Sequence, residues 1–270
     1  MKRLFVGVFT CALLLGCSTN PFTGKTTLNY KSNSEIFPMA FQQYEQFLGE
    51  NEVVTSGKDL EMIRKVGQRI SSAAEKWFAA NGMPNYLQDY KWEYNLVKSD
   101  QLNAWCMPGG KIVFYTGILP ICEDETGIAV VMGHEVAHAL ANHGAQRMSA
   151  AEIQQYGALA GNIALAGNSQ YLDIFNAAYG IGTNVGGMLP FSRSHENEAD
   201  VIGLRIMAIA GYDPNAAPEL WKRMNAQNGG AEPIEFLSTH PNSATRIQNL
   251  QAKVPEAIAE AKQYGVTSFQ

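Results

Sequence analysis

The sequence has few cysteines and histidines, and it lacks both basic clusters and long apolar runs. Its 270 residues include 4 cysteines and 5 histidines, with 20 basic and 25 acidic side chains and a formal charge of −5. A nucleic-acid-binding role is therefore not expected, because such proteins present a basic surface. No apolar run reaches the length of about 20 residues that a membrane-spanning helix needs. With 46% hydrophobic residues, the chain can still bury a globular core.

The N-terminal residues have the pattern of a targeting signal. Lys2 and Arg3 precede thirteen mostly apolar residues, at 4–16, which are too few to span a bilayer comfortably. The run ends in LLGC, which resembles a bacterial lipobox in which Cys17 would receive lipid. The alternative is a plain signal peptide that is followed by an incidental cysteine.

This pattern predicts the organisation of the chain. We expect a signal peptide at 1–16, a lipid-anchored arm at 17–34 and a single domain at 35–270, with the membrane contacted through lipid on the first residue of the arm. Ser18, rather than aspartate, follows the lipid-bearing cysteine. In the common Gram-negative sorting pattern this favours the bacterial outer membrane, facing the periplasm.

Two cysteines remain after the signal and the lipidation site are set aside. They are Cys106 and Cys122. An even pair in an oxidising compartment favours a disulfide between them. The alternative is two buried thiols that pack as small apolar groups.

Apolar spacing predicts an α+β fold that is mostly helical and has a small sheet. Helices are expected at 35–50, 59–80, 124–148, 194–210, 215–227 and 243–263. Strands are expected at 90–97 and 111–117, with a turn at 108–110 between them. A Gly-rich segment at 180–190 is expected to form a lid or gate.

Three of the five histidines lie in one stretch, VVMGHEVAHALANHG, at 130–144. His134 and His138 are four residues apart on a predicted helix, so both rings project from one face about 6 Å apart and can share one Zn²⁺. Glu135 can reach a metal-activated water without coordinating the metal, which is the H-E-x-x-H arrangement. His143 lies about 140° round a continuous helix from His138, so we assign it to a helix cap or the surface.

A catalytic zinc site needs a third protein ligand and an open fourth position. The candidates lie in SRSHENEAD, at 192–200, where Glu196, Glu198 and Asp200 share a predicted helix. One carboxylate can bind the metal while another accepts the free N–H of a ligating imidazole. Spacing alone leaves these roles open, and the alternative is a solvated acidic helix start.

The order of four sequence blocks resembles the HtpX-like family of zinc metallopeptidases, which includes CAAX prenyl endopeptidases and envelope peptidases such as BepA and LoiP. The blocks are NAWCMPGGKIVFYTGIL, HEVAH, SRSHENEAD and STHPNSATRI, and they spread over roughly 100–250. The short LoiP-like lipoproteins are the expected branch. The resemblance implies a gluzincin-type zinc metallopeptidase domain in which the edge strand of a small sheet lies beside the active-site helix. It also implies that Glu196 binds the metal, that Asp200 supports a ligand, and that Glu198 does not bind zinc.

The same resemblance suggests roles for four further residues. Asn103 and Ala104 would lie at the active-site end of the edge strand, where an extended peptide can add by β-augmentation. His240 and Arg246 would lie near the metal, where either could stabilise an oxyanion. His240 could instead fill the open zinc position in a resting state.

Together these features predict a lipid-anchored endopeptidase with one Zn²⁺ per chain and protein or peptide substrates. The metal would polarise the scissile carbonyl and activate water, and Glu135 would take the proton and pass it to the leaving amine. The resemblance points to misfolded or misassembled envelope proteins as substrates. One alternative is a chaperone or assembly factor with latent or gated proteolysis. Another is a structural zinc protein with a closed four-ligand site.

Overall fold

The computed structural model describes residues 17–159, 192–227, 235–240 and 243–270. The signal peptide expected at 1–16 and the gate expected at 180–190 lie outside these ranges. None of the described helices combines the length and the apolar character that a membrane span requires.

Helices form most of the described chain, and this confirms the predicted mostly helical α+β fold. They are α1 Asn33–Glu50, α2 Lys58–Ala80, α3 Leu119–Cys122, α4 Glu125–Leu140, α5 His143–Leu159, α6 Arg193–Ile209, α7 Ala216–Gln227, α8 Glu235–Thr239 and α9 Ala244–Gln263. The Asp124 side chain accepts a hydrogen bond from the backbone N–H of Gly127 and so caps α4 at its expected start. The helix expected at 124–148 is in fact two helices, because Asn142 adopts a positive φ of 55° and turns the chain.

The main sheet has three strands, β3 Glu93–Val97, β4 Ala104–Met107 and β5 Lys111–Tyr115, in the order β3-β5-β4. β3 runs parallel to β5, and β4 is antiparallel to β5. The expected turn at 108–110 therefore joins β4 to β5, and the direct connection predicted between 90–97 and 111–117 is wrong. β4 has only four residues and all are buried, so its sequence shows no polar–apolar alternation. It is the edge strand and packs on α4, as expected.

A short hairpin precedes the helices. β1 Cys17–Thr19 pairs antiparallel with β2 Thr26–Leu28. In the turn between them, the Phe22 ring stacks on Trp77 of α2, with the ring centroids 4.0 Å apart. The arm therefore lies against the helical body rather than extending away from it.

The two helices that carry the predicted metal ligands cross at a pair of glycines. α4 is buried along 127–140, and α6 packs across it. Gly133 and Gly203 meet at the crossing, where a Cβ on Gly203 would come within 2.8 Å of the Gly133 backbone. Because neither residue has a side chain, the backbones approach closely enough for Glu196 to reach the histidines of α4.

The predicted disulfide between Cys106 and Cys122 is wrong, since both are free and buried. Cys106 lies on β4 and Cys122 ends α3, and both belong to the same hydrophobic core. Burial raises the pKa of Cys122 to about 12, and burial together with the nearby Glu135 charge raises the pKa of Cys106 well above its usual value. They are therefore neutral thiols that pack as apolar groups, which was the alternative interpretation.

Candidate metal centre

Four buried side chains from three parts of the chain meet in one cluster. His134 and His138 come from α4, Glu196 from the first turn of α6, and His240 from the residue after α8. One ligand atom from each lies within 4.8 Å of all the others. The set includes each of the three ligands that the sequence and the resemblance named, together with His240.

Five separations between nitrogen and oxygen atoms of these side chains lie between 3.1 and 3.5 Å. Nε2 of His134 lies 3.2 Å from Nε2 of His138 and 3.5 Å from Oε2 of Glu196. Nε2 of His138 lies 3.3 Å from Oε1 of Glu196. Nδ1 of His240 lies 3.1 Å from the same Oε1 and 3.3 Å from Nε2 of His134. A tetrahedral zinc ion with bonds of about 2.0–2.1 Å would hold its ligand atoms about 3.3 Å apart, so the residues fit such an ion.

Asp200 and Arg246 support the cluster from the side of α6. Oδ1 of Asp200 lies 3.1 Å from Nδ1 of His134, the nitrogen that faces away from the other ligand atoms. The Arg246 guanidinium donates two hydrogen bonds of 2.7 Å to Asp200 and a third of 2.7 Å to Glu196. Its face also lies 4.3 Å from the centre of the Trp221 ring.

Asp200 and Arg246 both lie beside the ligand cluster, as the resemblance implied. The resemblance also gave Arg246 as a residue that could stabilise an oxyanion, and its guanidinium is buried on the two carboxylates. The reason is electrostatic, because two buried carboxylates within reach of one another require a cation. The arginine orients the ligand Glu196 and the support Asp200 through charge-assisted hydrogen bonds.

Burial and neighbouring charges act in opposite directions on the ligand side chains. Burial disfavours the charged form of His134, but hydrogen bonds and charges from Asp200 and Glu196 raise its pKa to about 9. Burial lowers the pKa of His138 well below its usual value. Burial alone would raise the pKa of Glu196, yet the surrounding histidines hold it well below its usual range. Glu196 is therefore a carboxylate, as a metal ligand must be.

Glu135 lies beside the cluster without being part of it. Burial is the main reason that its pKa is raised, and the charges of His240 and His134 oppose that rise. The backbone N–H of Cys106, on the edge strand, faces this carboxylate and acts to lower that pKa. Oε1 of Glu135 lies 3.4 Å from Nε2 of His240. The predicted general base thus lies between the ligand cluster and β4.

The two expected substrate-binding residues lie at the start of the edge strand and are buried. The Asn103 side-chain oxygen accepts a hydrogen bond from the N–H of Ala104, and its carbonyl accepts one from the N–H of Tyr115. One residue earlier, the carbonyl of Leu102 accepts a hydrogen bond from the N–H of Phe236 in α8. This end of β4 is therefore covered by the helix that carries His240.

His143 occupies a place that the sequence analysis missed. It was assigned to a cap or the surface, but it is buried, and its Nδ1 lies 3.0 Å from Nδ1 of His138. The separation of 140° holds only for a continuous helix, whereas α4 ends at Leu140 and the chain turns back at Asn142. His143 and Glu198 both lie outside the ligand cluster, as expected, and they contact each other. The signal that could have indicated the turn is Asn142, a residue type that tolerates a positive φ.

Comparison with known sequences decides the family. The sequence matches peptidase family M48 over residues 64–254. The chain belongs to that family. Its relatives include mitochondrial metalloendopeptidase OMA1 of Schizosaccharomyces pombe, which is 39% identical over 189 residues, covering 70% of this chain and 53% of the relative. Human metalloendopeptidase OMA1 is 25% identical over 276 residues, covering 95% and 50%. The beta-barrel assembly-enhancing protease of Escherichia coli is 31% identical over 157 residues, covering 56% and 32%.

Membership of M48 and the cluster of His134, His138, Glu196 and His240 fit the expected class, an H-E-x-x-H metallopeptidase. The chain spans about half the length of the OMA1 relatives that it matches. The predicted resemblance holds at the level of the M48 family, whose members similar to this chain include both OMA1 and the beta-barrel assembly-enhancing protease.

The predicted location in a bacterial outer membrane is contradicted. Relatives at 33% to 39% identity from fission yeast, budding yeast and Arabidopsis thaliana are mitochondrial metalloendopeptidases. The prediction depended on Ser18 and its neighbours, and these lie outside the region 64–254 that matches the family.

Proposed function

We propose that this protein is a zinc-dependent endopeptidase that hydrolyses peptide bonds in misfolded or misassembled proteins. The observation that carries the proposal is the set of ligand-atom separations of 3.1–3.5 Å, with Glu135 adjacent to the set. Bound zinc supplies Lewis acidity toward a peptide carbonyl and makes water more acidic. The name of the beta-barrel assembly-enhancing protease links that relative to protein assembly, and this supports the substrate class.

Glu135 would act as the general base in this mechanism. Its carboxylate lies beside the ligand cluster, 3.4 Å from Nε2 of His240, so it can accept a proton from the attacking water and later donate it to the leaving amine. Burial raises its pKa, which suits a group that must both take and release a proton near neutral pH. No covalent intermediate with the protein is required.

His134, His138 and Glu196 would hold one metal ion per chain. Asp200 fixes the orientation of the His134 ring, and Arg246 fixes Glu196. Such supporting hydrogen bonds keep the ligands in position before the ion arrives, which strengthens binding. Arg246 is therefore a positioning residue rather than a catalytic one.

The edge strand β4 would bind the substrate as an added strand. The N–H of Cys106 already faces Glu135, so a peptide along this edge would pass beside the base. Asn103 and Ala104 mark the covered end of this edge. A peptide that pairs there must displace the hydrogen bond between the Asn103 side chain and the Ala104 N–H.

His240 would keep the enzyme latent. Its Nδ1 lies among the ligand atoms, where it would close the fourth position that substrate needs. His240→Ala is then expected to raise peptide cleavage at saturating zinc, whereas an oxyanion-stabilising His240 predicts a large decrease. Because a latent enzyme cleaves little, a chaperone that holds its client proteins is the second candidate function. It predicts full biological rescue by Glu135→Gln.

The decisive experiment measures zinc stoichiometry and casein cleavage together in the wild type, Glu135→Gln and Glu196→Gln. We expect one zinc per chain in the wild type, retained zinc without cleavage in Glu135→Gln, and weakened zinc binding in Glu196→Gln. Glu219→Gln, an exposed carboxylate on α7, serves as the matched control. A wild type that binds no zinc under metal-replete conditions would refute the proposal.

We also propose that residues 1–16 are removed and that Cys17 carries lipid, on the basis of the LLGC pattern. Lipid on Cys17 would join a membrane to the hairpin that rests on α2. Mass spectrometry of the mature chain and detergent-phase partitioning of Cys17→Ala test this. An unmodified Cys17 thiol in the mature chain would contradict it.

A further inference from the structure

The third histidine of the 130–144 stretch lies directly behind a metal ligand. The His143 ring is fully buried, and its Nδ1 lies 3.0 Å from Nδ1 of His138. His138 presents its other nitrogen, Nε2, to the ligand cluster. His143 therefore contacts the one ring nitrogen of His138 that the cluster leaves available.

The contact continues outward from His143. Nε2 of His143 lies 2.9 Å from Oε2 of Glu198, and Oε1 of Glu198 accepts a 2.9 Å hydrogen bond from the hydroxyl of Thr23. One tautomer assignment satisfies every contact. His138 binds the metal through Nε2 and donates from Nδ1 to His143, which then donates from Nε2 to Glu198. The result is a continuous chain from a ligand to the N-terminal arm.

Packing holds His143 and Thr23 in this chain. The His143 ring stacks on His195, with centroids 4.4 Å apart and an interplanar angle of 17°. Thr23 lies in the turn of the β1–β2 hairpin, beside the Phe22 ring that stacks on Trp77. Neither contact involves a metal ligand, so the geometry of the chain does not depend on the cluster itself.

The two ligand histidines of α4 are thus supported in different ways. His134 faces the Asp200 carboxylate directly at 3.1 Å. For His138, a second imidazole lies between the ligand and the Glu198 carboxylate. In both cases a carboxylate fixes which nitrogen carries the proton, which is how ligand histidines are usually oriented.

We propose that His143 and Glu198 are positioning residues for the metal ligand His138, and that Thr23 extends this support into the N-terminal arm. The inference rests on the proposed metal site. It gives the arm a role in metal binding that is independent of any membrane attachment. It also accounts for a histidine and a glutamate that the ligand set does not use.

The test measures the Zn²⁺ dissociation constant of the full chain by competition with a chromophoric chelator. We expect His143→Ala and Glu198→Gln to weaken zinc binding about 10- to 100-fold, and Thr23→Val several-fold. Thr23→Ser should restore the wild-type value because it keeps the hydroxyl. Thr27→Val, which removes a hydroxyl of the same hairpin that bonds to the Ser18 carbonyl, is the matched control and should leave the constant unchanged.

Two further measurements separate positioning from a general structural effect. The double variant His143→Ala/Glu198→Gln should bind zinc about as weakly as His143→Ala alone, because Glu198 acts through His143. The Co²⁺-substituted protein should show a shifted visible spectrum in Glu198→Gln, which replaces one atom and keeps the fold.

Equal zinc constants and Co²⁺ spectra in Glu198→Gln, Thr23→Val and the wild type would overturn the inference, even if His143→Ala unfolds. A wild type that binds no zinc would instead refute the metal site on which the inference rests. The failures of the two proposals are therefore distinguishable.

Discussion

Gly203→Ala should destabilise this protein even though alanine is the better helix former. Gly203 lies inside α6 and faces Gly133 of α4. An added Cβ would lie 2.8 Å from the carbonyl carbon and oxygen of Gly133 and 2.9 Å from the backbone nitrogen of His134. All three atoms are backbone, so no side chain can rotate away, and the two helices must separate.

Two opposing free energies set the magnitude. Alanine in place of glycine within a helix favours folding by about 1 kcal/mol. Overpacking a close contact costs about 1–3 kcal/mol. The net expectation is a loss of about 1 kcal/mol in the free energy of unfolding, or about 2–4 °C in melting temperature for a domain of this size. Zinc binding should also weaken, because His134 follows Gly133 directly and moves relative to Glu196.

Urea denaturation of the metal-free protein and zinc competition measure the two effects separately. Gly49→Ala is the control, because Gly49 lies in α1 and an added Cβ there would meet nothing within 4 Å. It should keep or slightly raise stability and leave zinc affinity unchanged. If Gly203→Ala keeps the stability and the zinc affinity of this control, then α4 and α6 do not cross at a close contact between Gly133 and Gly203, and the prediction is refuted.

Four further predictions concern the rest of the site. Arg246→Met should lower the free energy of unfolding of the metal-free protein by about 3–5 kcal/mol, because two buried carboxylates lose their cation; chemical denaturation measures this. Removal of metal with a chelator should lower the melting temperature, and free zinc at about 100 times its dissociation constant should restore about 2.7 kcal/mol, as calorimetry can test. Asn142→Val should cost about 1–2 kcal/mol and weaken zinc binding, because a β-branched residue resists a φ of 55°. Asn142→Gly should cost less, because glycine adopts this φ and only the long hydrogen bond to the Tyr86 hydroxyl is lost. The thiols of Cys106 and Cys122 should react with a disulfide reagent only after denaturation, and prompt reaction in the native state would contradict their burial.

Features that depend on neighbours along the chain could be predicted from the sequence. The start of α4 at Asp124 follows from an acidic capping residue, and the placement of His134 and His138 on one face follows from helical spacing alone. The role of Glu196 needed a resemblance, because spacing left three carboxylates equivalent. Its position in the cluster is a tertiary contact, made where α6 crosses α4.

The errors arose where distant contacts decide the outcome. All four residues of β4 are buried, so its sequence shows no alternation of polar and apolar residues. The strand order, in which β3 runs parallel to β5, is set by tertiary contacts and leaves no pattern in the local sequence. An even number of cysteines says nothing about the distance between them, and Cys106 and Cys122 are free, buried thiols. The contact of Arg246 with two buried carboxylates is likewise a tertiary contact, and no local pattern in the sequence indicates it.

The crowding of histidines in one stretch follows from how α4 ends. A continuous helix carries two imidazoles to the cluster, and a third on the same helix would point elsewhere. Because Asn142 turns the chain, His143 begins a new helix and reaches back to His138 from outside the cluster. The stretch 130–144 thus supplies two metal ligands, His134 and His138, and also the residue that supports His138. The remaining support comes from α6, which contributes Glu196, Glu198 and Asp200 from one end. The close glycine crossing is therefore a condition of the site, since it sets the distance between these two helices.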